Sequence, residues 1–203
     1  MKESADGRTH CEVRHPGDCE IHFYRANEKP YGAFSNLFRR PVLFEGKCFP
    51  TAEHAYQAGK ARKEAVRDWI LSAPTPSLVA MAAHGLYTWD IVPDWAKIKF
   101  SRMKAVLHAK FSQHEDLRNL LLSTGDARLV ESSNVSSAVN RVWGEVNGKG
   151  QNMLGILLME IRAELRKVDR AHLKSPARTG RIRRERNSKI ATAWPRRTRG
   201  SIG

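Results

Sequence analysis

The chain has 203 residues, of which 41% are hydrophobic and 28% charged, with a formal net charge of +14. That composition is ordinary for a globular protein and suits one domain with a sizeable core, leaving little room for a second. No apolar run reaches the ~18 residues of a membrane helix. The first twenty residues lack the apolar stretch of a secretory signal, and an odd set of cysteines, Cys11, Cys19 and Cys48, gives no disulfide framework. A reducing, intracellular setting is therefore expected: cytoplasmic, or nuclear in a eukaryotic cell.

The charge is unevenly spread. From Arg166 onward there are 13 Lys/Arg against 2 Asp/Glu, a net +11, so the body is close to neutral. Three segments follow from this: a leader over 1–20 without sustained period, a folded domain over 21–168, and a basic tail over 169–203 in which no apolar period persists. The tail carries a dense block at Arg178, Arg181, Arg183, Arg184 and Arg186. A polycation of this kind contacts nucleic acid phosphates without sequence preference, or is a solvated or nuclear-targeting segment; composition leaves both open.

Between leader and tail the pattern is helix-rich. Ile21–Tyr24 reads as a short buried strand, and Pro41–Phe44 as a second, followed by a turn at Glu45-Gly46-Lys47. Thr51 is placed to cap a helix over about 52–62. A helix over 64–71 is stopped by Pro74 and Pro76, and another restarts over 77–84. Asp94 is placed to cap a long amphipathic helix to about Phe111, with Ala96, Phe100, Met103 and Leu107 toward the core. A short helix over 116–122 ends near Gly125. Residues 134–140 read as a Ser/Val/Asn loop, and 153–165 as a last core helix with Leu154, Leu157, Leu158, Ile161 and Leu165 on one face. The expected fold is a single helix-rich α+β domain with a few short strands.

One helix face draws attention. Glu53, Gln57 and Lys60 recur at i, i+4 and i+7 and would project from one side of the helix after Thr51. A carboxylate, an amide and an amine there can address a sugar and its leaving group, although the same spacing also suits a solvated face. The preceding segment is rich in aromatic and small polar residues (Tyr31, Gly32, Phe34, Ser35, Asn36) and is expected to form a floor and lip for that face. Trp95 and Lys99 share a face of the long helix. Asn140, Trp143 and Gly144 precede a glycine-rich approach to Asn152, where backbone N–H groups can hold a phosphate or sugar oxygen. No cofactor fingerprint is present, since this approach is neither a Walker nor a Rossmann motif. No metal is expected either: HExxH and CxxC are absent, and the loose set His10, Cys11, His15, Cys19 and His22 fits no zinc module.

Taken in order, Phe23-Tyr24, Tyr31-Gly32, Phe34-Ser35-Asn36, Pro50-Thr51, Glu53-His54, Gln57, Lys60, Trp95, Lys99, Leu129-Val130-Glu131, Trp143-Gly144, Asn152 and Leu154-Gly155 resemble the NADAR (YbiA-like) family over about Ile21 to Leu165. The resemblance implies a YbiA-like fold and hydrolysis of an N-glycosidic bond between ribose C1 and an exocyclic amine. The substrates it implies are ribosylamino-pyrimidine phosphates of riboflavin synthesis, or ADP-ribosyl-guanine in nucleic acid. It further implies Glu53 as acid/base and Lys60 or Lys99 as Schiff-base or phosphate-binding amine. Trp95 and Trp143 would stack on base or sugar, and Asn36 and Gln57 would orient hydroxyls.

Three positions depart from the family pattern. Asn140 stands where the resemblance implies an Asp, after an insertion around 135–139. Gly85-Leu86 replaces a Gly-Arg, and Phe49 replaces a Trp. An Asn side chain cannot act as a general base. The enzymatic reading therefore requires another carboxylate in the pocket, Glu131 or Glu145. Without one, a non-catalytic module binding ADP-ribose, a nucleotide or nucleic acid is the alternative.

Overall fold

A computed structural model describes residues 19–174. Residues 1–18 of the expected leader, with His10, Cys11 and His15, and the basic tail beyond Lys174 lie outside the described residues, whereas Glu20 already belongs to a strand. Within them a four-stranded sheet is ordered β1-β4-β5-β6, with β1 at Glu20–Phe23, β4 at Arg128–Ser133, β5 at Glu145–Val146 and β6 at Lys149–Gly150. β1 and β5 run parallel to β4, and β6 closes antiparallel on β5. The register Phe23↔Glu131 sets a core phenylalanine beside an acidic residue at the end of the β1–β4 pairing.

A separate hairpin joins β2 (Val42–Phe44) to β3 (Lys47–Phe49). Its turn residues Glu45 and Gly46 both have positive φ, 49° and 74°, the backbone twist that a two-residue hairpin needs. The helices are α1 (Ala52–Ala58), α2 (Glu64–Leu71), α3 (Pro76–His84), α4 (Trp95–Gln113), α5 (Glu115–Ser123), α6 (Ala138–Trp143) and α7 (Met153–Lys174).

The main core gathers Phe23 and Phe34 with Met103, Leu107 and Phe111 of α4, Leu129 of β4, and Leu158 and Ile161 of α7. α7 buries the apolar face expected for it against the sheet and α4. Truncating a residue such as Leu107 or Leu158 there would cost about 2–5 kcal/mol. Ile70, Val79 and Ala83 make a smaller cluster between α2 and α3.

Several elements differ from the sequence expectation. α1 ends at Ala58 and does not run on to Arg62. The cause is Arg102 of α4, whose Nε donates to Tyr56 O at 3.1 Å and whose Nη2 donates to Ala55 O at 2.8 Å. Those are orphan carbonyls of the last helical turn. Arg102 is itself held by Glu45, and it fills the space at Gly59, where a Cβ would come within 2.1 Å of its Nε. Asp94 flanks α4 without a side-chain cap and pairs with Lys97 at 2.8 Å. Ala96 is exposed and Phe100 half-buried, so the core face of α4 begins only at Met103 and continues through Lys110 and Phe111. The last three residues of the expected 134–140 loop are helical: Ser137 Oγ accepts from Asn140 N and starts α6. α7 extends past Leu165 to Lys174. Strands β4 to β6 were not visible as periodic runs.

Candidate functional site

α1 is the inner wall of a cavity. Thr51 Oγ1 accepts from His54 N and caps it, and every residue of the helix is buried. Against it lies the loop that follows the turn at Tyr31–Phe34. Lys110 of α4, completely buried, donates its Nζ to Ala33 O at 2.6 Å and Ser35 O at 2.9 Å. From the other side Glu53 N donates to Asn36 O at 3.0 Å. Held at both ends, the loop delivers Asn36 to Glu53.

The Glu53 carboxylate receives two amides: Asn36 Nδ2 on Oε2, and Gln57 Nε2 on Oε1 at 2.7 Å. Burial pushes its pKa up to about 7, opposed by the Gln57 hydrogen bond and the Lys60 charge. Glu131 of β4 lines the same cavity and is likewise pushed up to about 7, first by burial and then by the charge of Glu53. Burial thus raises both carboxyls of this cavity, and the Glu53 charge adds to the shift of Glu131, an arrangement in which one can hold a proton while the other is ionised near neutrality. The cavity measures about 250 Å³ and is completed by Ser35, Tyr56, Asn140 and Trp143.

A second lobe of about 330 Å³ adjoins it, lined by Lys60, His84, Trp95, Ala96 and Lys99. Both lobes share Tyr56, Gln57, His84, Val139 and Trp143. Tyr56 stands between the two indoles, 5.0 Å from Trp95 and 5.6 Å edge-on from Trp143. Burial, with Glu53 second, drives its hydroxyl pKa upward, so it stays a neutral donor. Burial and the Lys60 charge lower the His84 pKa. Lys60 lies beyond the end of α1 and not on its face. Its backbone pairs with the segment before α4, and its Nζ donates to Ala83 O at 2.6 Å. Burial lowers its pKa, against the pull of Glu53.

The structure thus brings Ser35, Asn36, Glu53, Gln57, Asn140 and Trp143 together around one cavity, and Lys60, Trp95 and Lys99 around its neighbour. Five expected binding residues lie elsewhere. Phe34 is fully buried core, edge-on to Phe23, and Tyr31 stacks on it at 5.4 Å without lining either lobe. Gly32 packs where a Cβ would come 2.6 Å from Ala26 O, and Gly144 where one would come 2.2 Å from Glu131 O. Asn152 is buried behind β4. Its Nδ2 donates to Leu129 O and its Oδ1 accepts from Glu131 N. Gly144 and Asn152 therefore position the strand that carries Glu131.

Asn140 uses both of its amide hydrogens locally, on Ser133 Oγ at 3.1 Å and Val135 O at 2.7 Å. An Asp in this place would set a carboxylate against the Val135 carbonyl, so the Asn suits the inserted loop. Of the two substitute carboxylates considered, Glu131 lines the cavity, whereas Glu145 is paired with Arg128 and faces a separate groove. Sequence reasoning missed the part played by Lys110. The available signal was a lysine set among Met103, Leu107 and Phe111 on the apolar face of α4.

Comparison with known proteins converges on one family. The model for the NADAR domain matches residues 22–166. N-glycosidase YbiA of Shigella flexneri is 39% identical over 149 residues, spanning 73% of this chain and 89% of that protein. Riboflavin biosynthesis protein VVA0006 of Vibrio vulnificus is 32% identical over 146 residues, which are 71% of this chain but 38% of that protein. The NMR structure of the Escherichia coli protein YbiA superposes with a TM-score of 0.69 at 37% identity, covering 77% of this chain and 90% of that one.

Proposed function

The chain belongs to the NADAR domain family, and from that premise we propose that it is an N-glycosidase, hydrolysing the bond between ribose C1 and an exocyclic amine. The observation that carries this reading is the pair Glu53 and Glu131, both pushed to about 7 within one cavity. A binding module has no need of two carboxyls poised near neutrality, whereas acid–base hydrolysis does. The pair therefore supports the enzyme over the non-catalytic alternative despite Asn140.

The environments suggest the division of labour. Glu53 receives two amide donors, which favour its ionised form. Glu131, beside that charge, keeps the proton. Glu131 then protonates the departing amine nitrogen as the C1–N bond breaks. Glu53 steadies the positive charge developing at C1 and takes a proton from the water whose oxygen joins C1. The products are the free amine and a sugar with a C1 hydroxyl.

A covalent variant is favoured by a specific observation, the lowered pKa of the Lys60 amine. In it the ribosylamine opens to an imine, Lys60 Nζ leaves Ala83 O and adds to C1, the amine departs, and water hydrolyses the lysine Schiff base. The same carboxyl pair moves the protons. Borohydride trapping read by mass spectrometry separates the routes: a sugar adduct on Lys60 marks the covalent one, and its absence under turnover marks direct displacement.

Aminopyrimidine ribotides and ADP-ribosyl-guanine in nucleic acid share the required linkage. The +11 charge from Arg166 onward favours nucleic acid as the carrier of the ribosylated base. The deciding experiment offers purified protein both compounds and follows sugar release. Release from ADP-ribosyl-guanine DNA that falls steeply with salt supports the nucleic-acid assignment. Release from the ribotide alone overturns that assignment, and release from neither overturns the hydrolase.

A further inference from the structure

Gln57 is 2% exposed, and its Nε2 donates to Glu53 Oε1. That bond fixes which way the amide faces and turns Oε1 away from Glu53. No protein donor reaches Oε1, and it is the one buried side-chain polar atom among the described residues left in that condition. Leaving such an acceptor unsatisfied costs about 1–3 kcal/mol. The position of Gln57 says where the missing donor belongs. Glu53, Glu131 and Asn36 line only the inner lobe; Lys60, Trp95 and Lys99 line only the outer; Gln57 lines both.

Resting on the N-glycosidase reading, we infer that the scissile bond lies across the seam between the lobes and that Gln57 Oε1 accepts the N–H of the glycosidic nitrogen. Ribose then sits in the inner lobe, with C1 toward the carboxyl pair, and the base lies in the outer lobe against Trp95 and Trp143. The inner lobe already offers Asn36, Asn140 and the carboxyls to sugar hydroxyls. The group at the seam is the linking atom itself. A glycosidic nitrogen that is exocyclic carries a hydrogen, whereas the ring nitrogen of an ordinary nucleoside and the oxygen of an O-glycoside carry none. Gln57 thereby becomes the residue that admits ribosylated amines and rejects intact nucleotides.

The test compares a ribosylated exocyclic amine with its N-methyl counterpart and with a non-cleavable CH2-linked isostere. For wild-type protein, N-methylation is expected to lower kcat/KM by at least about 100-fold, as for sites built to hydrogen-bond a substrate N–H. The isostere, which fits the same space, is expected to inhibit with a Ki at least about tenfold above the KM of the N–H substrate. Gln57→Ala, which removes the acceptor and opens room for the methyl, should bring the two substrates within about tenfold of each other. An isostere that binds as well as the substrate, or equal cleavage of both substrates by wild type, overturns the assignment of Gln57 and leaves the hydrolase intact. Sugar release from neither substrate overturns the hydrolase reading and this inference with it. The wild-type comparisons stand whether or not the variant folds.

Discussion

Helices α1 and α6 face each other across the same cavity and are built in opposite ways. All seven residues of α1 are buried, its N-terminus is capped by Thr51, and its last carbonyls are held by Arg102. α6 has six residues and no buried one, and it hangs on Ser137 and the amide of Asn140. The chemistry is carried by the packed wall and by β4, where geometry is enforced; the adaptable wall supplies Trp143 and Asn140. A division of this kind implies that changes on α1 and β4 strike kcat, whereas changes on α6 act mainly on binding and local order.

The sharpest way to break the contrast is Glu53→Gln. It is expected to lower kcat for sugar release by roughly 10³-fold with the fold intact. A carboxyl whose pKa is raised in the folded state stabilises most below its unfolded value of 4.5 and loses that contribution as pH rises through about 7. At pH 8 the amide variant should therefore melt no lower than wild type, which thermal unfolding by circular dichroism will show. Glu131→Gln should lower kcat by about 10²-fold or more in the same assay; an unchanged rate would move the proton donor elsewhere.

Lys110→Met tests the support of the packed wall. It leaves the Ala33 and Ser35 carbonyls without their donor and should cost about 2 kcal/mol or more in denaturant unfolding, with kcat falling as Asn36 loosens. Burial pushes Lys110 down to about 7, so the sign is opposite to that of the carboxyls. Its contribution is full above about pH 10.5 and is lost as pH falls toward 7. Wild-type stability should rise between pH 7 and 10, and the variant should lack that rise. The smallest effect belongs to the exposed wall. Asn140→Asp, which turns a carboxylate toward Val135 O, should destabilise α6 by about 1 kcal/mol and raise its amide exchange, changing kcat/KM by less than about tenfold.

The difference between the two walls also explains what could be read from the residues. The α1 side is local: Thr51, Glu53, Gln57 and the aromatic run before them lie within one stretch, and cap and spacing announce them. Even there the helix end was invisible, because the cap that stops it comes from Arg102, in a helix far along the chain. The helices over 64–71 and 77–84, divided by Pro74 and Pro76, emerge close to their sequence bounds. The opposite side depends on contacts between distant segments. β4 is recognisable as a strand only once Ile21 and Leu129 are paired, and Glu131 becomes a cavity residue only through that pairing. The 134–140 segment reads as loop because α6, which starts within it, has no buried face to give it a period.

The pH dependence of kcat/KM for sugar release tests the Glu53–Glu131 pair most directly. A bell centred near pH 7 is expected, with its two limbs belonging to the coupled pair and the alkaline limb abolished in Glu131→Gln. A profile that is flat from pH 5 to 9, or that breaks only at the ordinary carboxylate range near 4.5, would contradict it.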